Sequence, residues 1–387
     1  MTSIDIQLLV EAAEQAVRDG SLSGSAFENL RHWLTSPEYG KFVPAMIEHI
    51  QSQRWQVLDD VFWKVLEFGT GGRRGRMYPF GSNTINERTI GESAQGLANY
   101  VKSQFDAAPL KCAIAYDTRH RSREFAELCS GIMVANGFHV FLLDDYRATP
   151  QLSYLVRQKQ CHCGVMVTAS HNPPSDNAVK VYWQTGGQIL PPHDAAIIRE
   201  VMDNVKEIEA VDFQTALEHG QITICTEEID DSFERTLVSL SQDGPRNLKL
   251  VYSPLHGVGG SVIPSVLKAS GFEDVLLFPE HANPDPDFTN VEGHVANPEN
   301  QEVYEPIIEF ARQQSADVVI VTDPDADRLG CAAPVSLDAD SSWQIFDGNQ
   351  LCALLGAYRL ESLQQAGQLT KDSFQLTTLV TTRMLER

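Results

Sequence analysis

Positive charge is scarce in this chain, and long apolar runs are missing. Lys and Arg total 30 against 52 Asp and Glu in 387 residues, a formal charge of −22. So few cations argue against a nucleic-acid partner, whose phosphate backbone is held by Lys and Arg. They argue equally against docking on anionic membranes. Any anionic ligand must then be caught by local cationic groups against an adverse overall field. No apolar run approaches bilayer-spanning length. The first residues, Met1-Thr2-Ser3-Ile4-Asp5, lack the basic segment and apolar core of a secretory leader. The 7 cysteines are odd in number and dispersed, which is no disulfide framework. Cys161-His162-Cys163 lacks the paired spacing of zinc sites and reads as thiols at a strand entry. A reducing cytoplasm is the expected compartment.

What is present is enough apolar residue, 42%, for ordinary packed cores, in a length that suggests two to four domains. Residues 1–66 read as helices, with Ile6, Leu9, Val10, Ala13 and Val17 at helical spacing. Asp59 or Asp60 is placed to cap a short helix carrying Val61, Phe62, Val65 and Leu66. No catalytic constellation occurs there, and a packing or positioning extension is expected. Residues 67–225 alternate strands and helices, with strands at Cys112–Asp117, His139–Asp144, Gly164–Thr168 and Ala178–Trp183. Residues 226–338 repeat the pattern, with strands at Leu248–Ser253, Val275–Phe278 and Val318–Thr322. Such alternation is the mark of α/β layers. From 339 to 387 one helical stripe, Leu351, Leu354, Leu355 and Tyr358, precedes one expected strand, Leu376–Thr381. That is too little to bury both apolar faces, so this last unit is expected to be partial.

Two segments carry the chemistry. Thr168-Ala169-Ser170-His171-Asn172-Pro173 puts a hydroxyl directly after an apolar strand, on a turn at the carboxyl end of a sheet, where ligands bind. A serine there is expected to be exposed and positioned. His171 either orients it, exchanges protons with a substrate hydroxyl, or is structural. Asp323-Pro324-Asp325-Ala326-Asp327-Arg328 sets three carboxylates at alternate positions after another apolar strand. Packed so closely they repel unless a cation binds, and three hard oxygen ligands suit magnesium. A phosphorylated Ser170 is expected to add an oxygen to the same ion, and Arg328 a planar fork of donors. Lys180, on the strand after the serine loop, points away from the more apolar face, either to solvent or to a cleft. Phe68-Gly69-Thr70-Gly71-Gly72-Arg73-Arg74-Gly75-Arg76 combines glycines, which let backbone amides approach an anion, with three arginines. Asp117-Thr118-Arg119-His120-Arg121-Ser122 either adds ligand contacts or locks the loops, with a structural salt-bridge role the alternative. Both segments together point to phosphoryl transfer through a phosphoserine.

These residues resemble the α-D-phosphohexomutase superfamily, the phosphoglucomutase/phosphomannomutase group, and most closely its bacterial phosphoglucomutase and phosphopentomutase branch. Leu66 to Gly75, Tyr116 to Arg119, Ser253-Pro254-Leu255-His256-Gly257-Val258-Gly259, the serine loop and the aspartate loop carry the likeness. The resemblance implies serial mixed α/β domains behind a helical N-terminal extension, with the third domain partial and the fourth absent. It implies Ser170 as phosphoserine and Asp323, Asp325 and Asp327 as magnesium ligands. His171, Lys180 and Arg328 would be catalytic, and Thr70, Arg74 and Arg119 would bind phosphate. The implied reaction moves phosphate between C1 and C6 of a hexose, glucose foremost, with glucose 1,6-bisphosphate as intermediate and activator. Pentose or mannose phosphates are alternatives within the class. A metal-dependent phosphatase and an inactive phosphate- and metal-binding module are the alternatives outside it. Arg73 stands where the family has an apolar residue, and Ala178 replaces a glycine. The family's paired-glutamate sugar loop and its Arg-x-Ser-Gly-Thr phosphate clamp are not found, so poor turnover is expected. Oligomeric state is not readable.

Overall fold

In the structure, a computed structural model that describes residues 6–106, 109–336, 338 and 341–386, the chain divides into two units, Met1–Ile229 and Asp230–Arg387. Residues 1–5, read above for a leader, and 339–340, at the opening of the third expected segment, lie outside the described residues.

The first unit opens with four helices: α1 (Ile6–Arg18), α2 (Gly24–Thr35), α3 (Val43–Gln51) and α4 (Trp55–Phe62). Their apolar stripes meet in one cluster that includes Leu9, Leu30, Trp33, Met46, Leu58 and Phe62, and Phe80 joins it from beyond α4. Asp59 and Asp60 lie inside α4 rather than at its cap. Asp59 instead accepts the Ser23 backbone amide at 2.7 Å, tying α4 to the start of α2.

A six-stranded sheet follows, built from β1 (Gly72–Arg76), β2 (Leu110–Tyr116), β3 (Phe138–Leu143), β4 (Cys163–Val167), β5 (Asp176–Trp183) and β6 (Ile222–Cys225), in the order β1-β5-β4-β2-β3-β6. Strands β4, β2, β3 and β6 run parallel, whereas β5 is antiparallel to β4, and β1 to β5. Every residue of β4 is buried, as expected for a central strand in a parallel core. Around the sheet lie α5 (Glu87–Gln104), α6 (Ser122–Ala135), α7 (Thr149–Gln158), α8 (His193–Arg199) and α9 (Phe213–Glu218). Cys161 and Cys163 are buried at the entry to β4, and burial pushes the Cys161 thiol up to about 12. Cys161-His162-Cys163 is therefore a piece of packed strand entry.

Glycines that read as a loop form β1. Gly72 has φ +156°, and a Cβ there would sit 2.1 Å from the Val179 carbonyl oxygen, so only glycine lets β1 meet β5. Arg73 and Arg74 then point to opposite faces, as consecutive strand residues must. Arg74 is exposed. Arg73 is buried and pairs with Glu92 of α5 at 2.8 Å, so it does not share the exposed face of Arg74.

After α10 (Glu227–Ser239), the second unit's sheet contains β7 (Leu250–Ser253), β8 (Val275–Leu277), β9 (Val318–Thr322), β10 (Leu329–Pro334) and β11 (Trp343–Phe346), ordered β11-β10-β9-β7-β8. Helices α11 (Ile263–Ala269), α12 (Tyr304–Gln313) and α13 (Gly348–Gln365) complete it. The expected strand at Leu376–Thr381 is irregular chain with a turn, and Leu376, Leu379 and Val380 are exposed. Among the described residues, its apolar and β-branched positions have no neighbouring strand to take their backbone hydrogen bonds. No helix among the described residues is long and apolar enough to cross a membrane.

Candidate functional site

Three groups of the expected residues are assembled. The first is the serine loop between β4 and β5. Ser170 takes a left-handed backbone, φ +54°, unusual for a residue with a side chain. Its amide donates to Thr168 Oγ1 at 2.9 Å, and its hydroxyl lies 3.3 Å from His171 Nδ1. Contrary to the expected exposure, the residue is only 1% accessible.

Arg119 explains how the loop is held. Its Nη1 donates to the carbonyls of Pro173 at 2.8 Å and Asp176 at 3.1 Å, and its Nη2 to those of Ser170 and Asn172. Its Nε lies 3.4 Å from Asp117 Oδ2, and both side chains are fully buried. Of the two alternatives, this geometry favours a lock on the loop over the expected phosphate contact, since the fork is buried and donates to four carbonyls. Asp117 also accepts Ser122 Oγ at 2.7 Å and the Arg119 amide at 3.0 Å, and burial raises its carboxyl above the ordinary range despite the arginine beside it. Asn177 Nδ2 donates to Ser122 Oγ and to the His120 carbonyl, both at 3.0 Å. Ser122 closes the segment read above as a possible lock on the loops, whereas Asn177 was read only as turn chemistry and was missed as a support. Its only local signal was proximity to the serine loop.

The second group lies where β1 meets β5. Lys180 pairs in register with Gly72, and Arg74 with Ala178. Thr70, Arg74 and Lys180 line one cleft of about 450 Å³ with the glycine turn. Lys180 thus faces a cleft rather than open solvent.

The third group is the six-residue loop between β9 and β10. Asp323, Asp325 and Asp327 each offer an oxygen within 4.8 Å of the others, and the first two are buried. Asp323 Oδ1 accepts the amides of Asp327 at 3.2 Å and Arg328 at 3.1 Å, which curls the loop around it. Arg328 Nε stands 3.8 Å from Asp327 and 4.0 Å from Asp323, on a half-exposed side chain. The Val258 amide donates to the Pro324 carbonyl at 2.8 Å, fastening the loop from outside. A Cβ on Gly257 would come within 2.2 Å of Pro324 Cα, and one on Gly259 within 2.1 Å of the Tyr252 hydroxyl. The glycines of the 253–259 segment therefore seat the aspartate loop. Three hard, closely set carboxylate oxygens fit a magnesium ion and suit no soft metal.

An α/β sheet with a clamped serine loop, followed in the chain by a second sheet with a triple-aspartate hairpin, defines the phosphohexomutase class. Residues 65–208 match the family model for phosphoglucomutase/phosphomannomutase alpha/beta/alpha domain I, and residues 230–335 that for domain II. The chain is 36% identical over 312 residues to a phosphoglucomutase of Staphylococcus haemolyticus, covering 80% of this chain and 56% of that one. A Staphylococcus aureus phosphoglucomutase is 32% identical over 324 residues, covering 83% and 57%. The fold matches a phosphoglucomutase/phosphomannomutase family protein from Burkholderia thailandensis with a TM-score of 0.61 at 20% identity, covering 76% of this chain and 58% of that one. The chain belongs to the alpha-D-phosphohexomutase superfamily. It spans about half the length of the curated relatives it matches.

Proposed function

We propose that the chain carries the phosphoryl-transfer half of a phosphosugar mutase that interconverts hexose 1-phosphate and hexose 6-phosphate, with glucose as the sugar. The carrying observation is Ser170: a buried hydroxyl beside His171, on a loop whose carbonyls are gripped by one arginine. Similarity to staphylococcal phosphoglucomutases supports the choice of sugar.

In the forward direction, phosphate on Ser170 passes to the 6-hydroxyl of glucose 1-phosphate. The Oγ–P bond breaks, a bond from phosphorus to O6 forms, and the hydroxyl proton leaves to a base. His171 and Lys180 are the candidate proton carriers. Glucose 1,6-bisphosphate then reorients, and its 1-phosphate returns to Ser170 Oγ, leaving glucose 6-phosphate and the original phosphoserine. Thr70 and Arg74, in the cleft with Lys180, hold a substrate phosphate. Magnesium held by Asp323, Asp325 and Asp327 would supply the positive charge that a phosphorylated Ser170 requires, with Arg328 adding its own. The low accessibility of Ser170 fits a group that must pass phosphate to sugar and not to water.

The test is intact mass after incubation with glucose 1,6-bisphosphate and magnesium. One stable phosphate per chain, absent in Ser170→Ala, is expected. Steady release of inorganic phosphate without isomerisation would replace the mutase with a phosphatase. No adduct at all would leave a binding module.

A further inference from the structure

A second cavity, of about 440 Å³, opens where the N-terminal helices meet α5 and the chain just beyond α8. We propose that it binds a small organic oxyanion, a carboxylate or a phosphate ester, with Arg73 as the buried cation that recognises it. This inference does not depend on the function proposed for Ser170.

Arg73 has five N–H donors and is 1% accessible. Nη1 is used well, donating to Glu92 Oε2 at 2.8 Å and to the Thr89 carbonyl at 3.0 Å. Nη2 meets only a thioether, Met202 Sδ at 3.3 Å, a weak acceptor. Nε, buried, has no hydrogen-bond acceptor among the described residues. A guanidinium this deep, with donors still to satisfy, is a ready-made oxyanion receptor.

The surroundings carry the same sign. Glu92 is already shared, since Arg88 Nε also binds its carboxylate at 2.8 Å. Arg73, Arg88 and Lys206 against Glu38 and Glu92 leave the charged lining one positive charge in excess, in a chain of formal charge −22. Lys206 is exposed, and its carbonyl receives Arg88 Nη2 at 3.0 Å, so it belongs to the cavity's outer edge. Trp33 and Tyr39, stacked with centroids 4.3 Å apart, add an apolar wall for the ligand's carbon body. Size and lining fit a small molecule rather than a single ion.

The experiment is isothermal titration of the full chain with succinate and, separately, inorganic phosphate, at fixed ionic strength. Saturable binding of at least one is expected, with succinate marking a carboxylate site and phosphate alone marking a phosphate-ester site. Arg73→Leu should weaken it about tenfold, the scale of one charged hydrogen bond. Lys206→Glu, at the surface and harmless to folding, should weaken it several-fold. Lys180→Met, titrated in parallel, removes any phosphate signal that belongs to the other cleft, and the binding that Arg73→Leu and Lys206→Glu weaken should persist in it. Absence of binding, loss of all binding in Lys180→Met, or affinity unaltered by Lys206→Glu would overturn the proposal, even if Arg73→Leu did not fold.

Discussion

Arg119 holds the loop of the proposed nucleophile, Ser170, through backbone carbonyls. One guanidinium replaces the backbone partners that the carbonyls of Ser170, Asn172, Pro173 and Asp176 would find in a regular strand. Lysine carries the charge but not the planar fork. Arg119→Lys is therefore expected to fold and to slow phosphorylation of Ser170 by about a hundredfold, the cost of a misplaced reacting group. Mass spectrometry over time reads this directly. In the second unit, His281 is buried, with Ser253 Oγ 2.9 Å from Nδ1 and the Asn290 carbonyl 3.0 Å from Nε2. Burial lowers its pKa from 6.5 to about 4. The unfolded chain then takes up the proton at higher pH than the folded one. Stability is complete above pH 6.5 and falls as pH drops toward 4, by about 3 kcal/mol. Denaturant midpoints across that window should show the slope, and His281→Gln should flatten it.

Gly257 decides whether the β9–β10 hairpin can seat its aspartates. Gly257→Ala forces a methyl toward Pro324 Cα, so the loop or the 253–259 segment must shift. A loss of about 1–3 kcal/mol is expected from overpacking, together with weaker magnesium binding. Calorimetry of unfolding and of metal titration separates the two effects. Within this unit the apolar run before the aspartate turn was legible, and Val318–Thr322 matches its expected bounds. The long helix α5 was not among the expected elements, and it carries Gly91 and Gly96 inside it. They are there for close packing, since a Cβ at Gly91 would meet Ile208 at 2.9 Å and one at Gly96 would meet Val201 at 2.5 Å. β1 was hidden because its glycines read as a loop. In the site, Ser170 and the three aspartates stood out through residue type and spacing. The inward turn of Arg73 and the four-carbonyl grip of Arg119 did not, because both depend on partners far away in the chain.

At the level of the whole molecule, charge and burial are unevenly spread. A formal charge of −22 draws cations toward the triple-aspartate loop and repels the phosphosugar it is proposed to serve. Magnesium affinity should therefore fall several-fold as sodium chloride rises from about 0.02 to about 0.2 M, as the Debye length shrinks. A titration indifferent to salt would show that only the three local carboxylates matter. Burial is equally lopsided. Four helical and sheet clusters hold most of the buried apolar residues, yet α13 buries none of its own. Its helix is kept by internal amide bonds and by the Asp347 cap, whose carboxylate accepts the Gln350 amide at 2.8 Å. Leu354, Leu355 and Tyr358 stand in water instead. Apart from the Thr382 amide on Asn349 Oδ1 at 2.8 Å, little among the described residues has to loosen before α13 uncoils, so it should breathe open and trade its amide protons with solvent long before either sheet yields one.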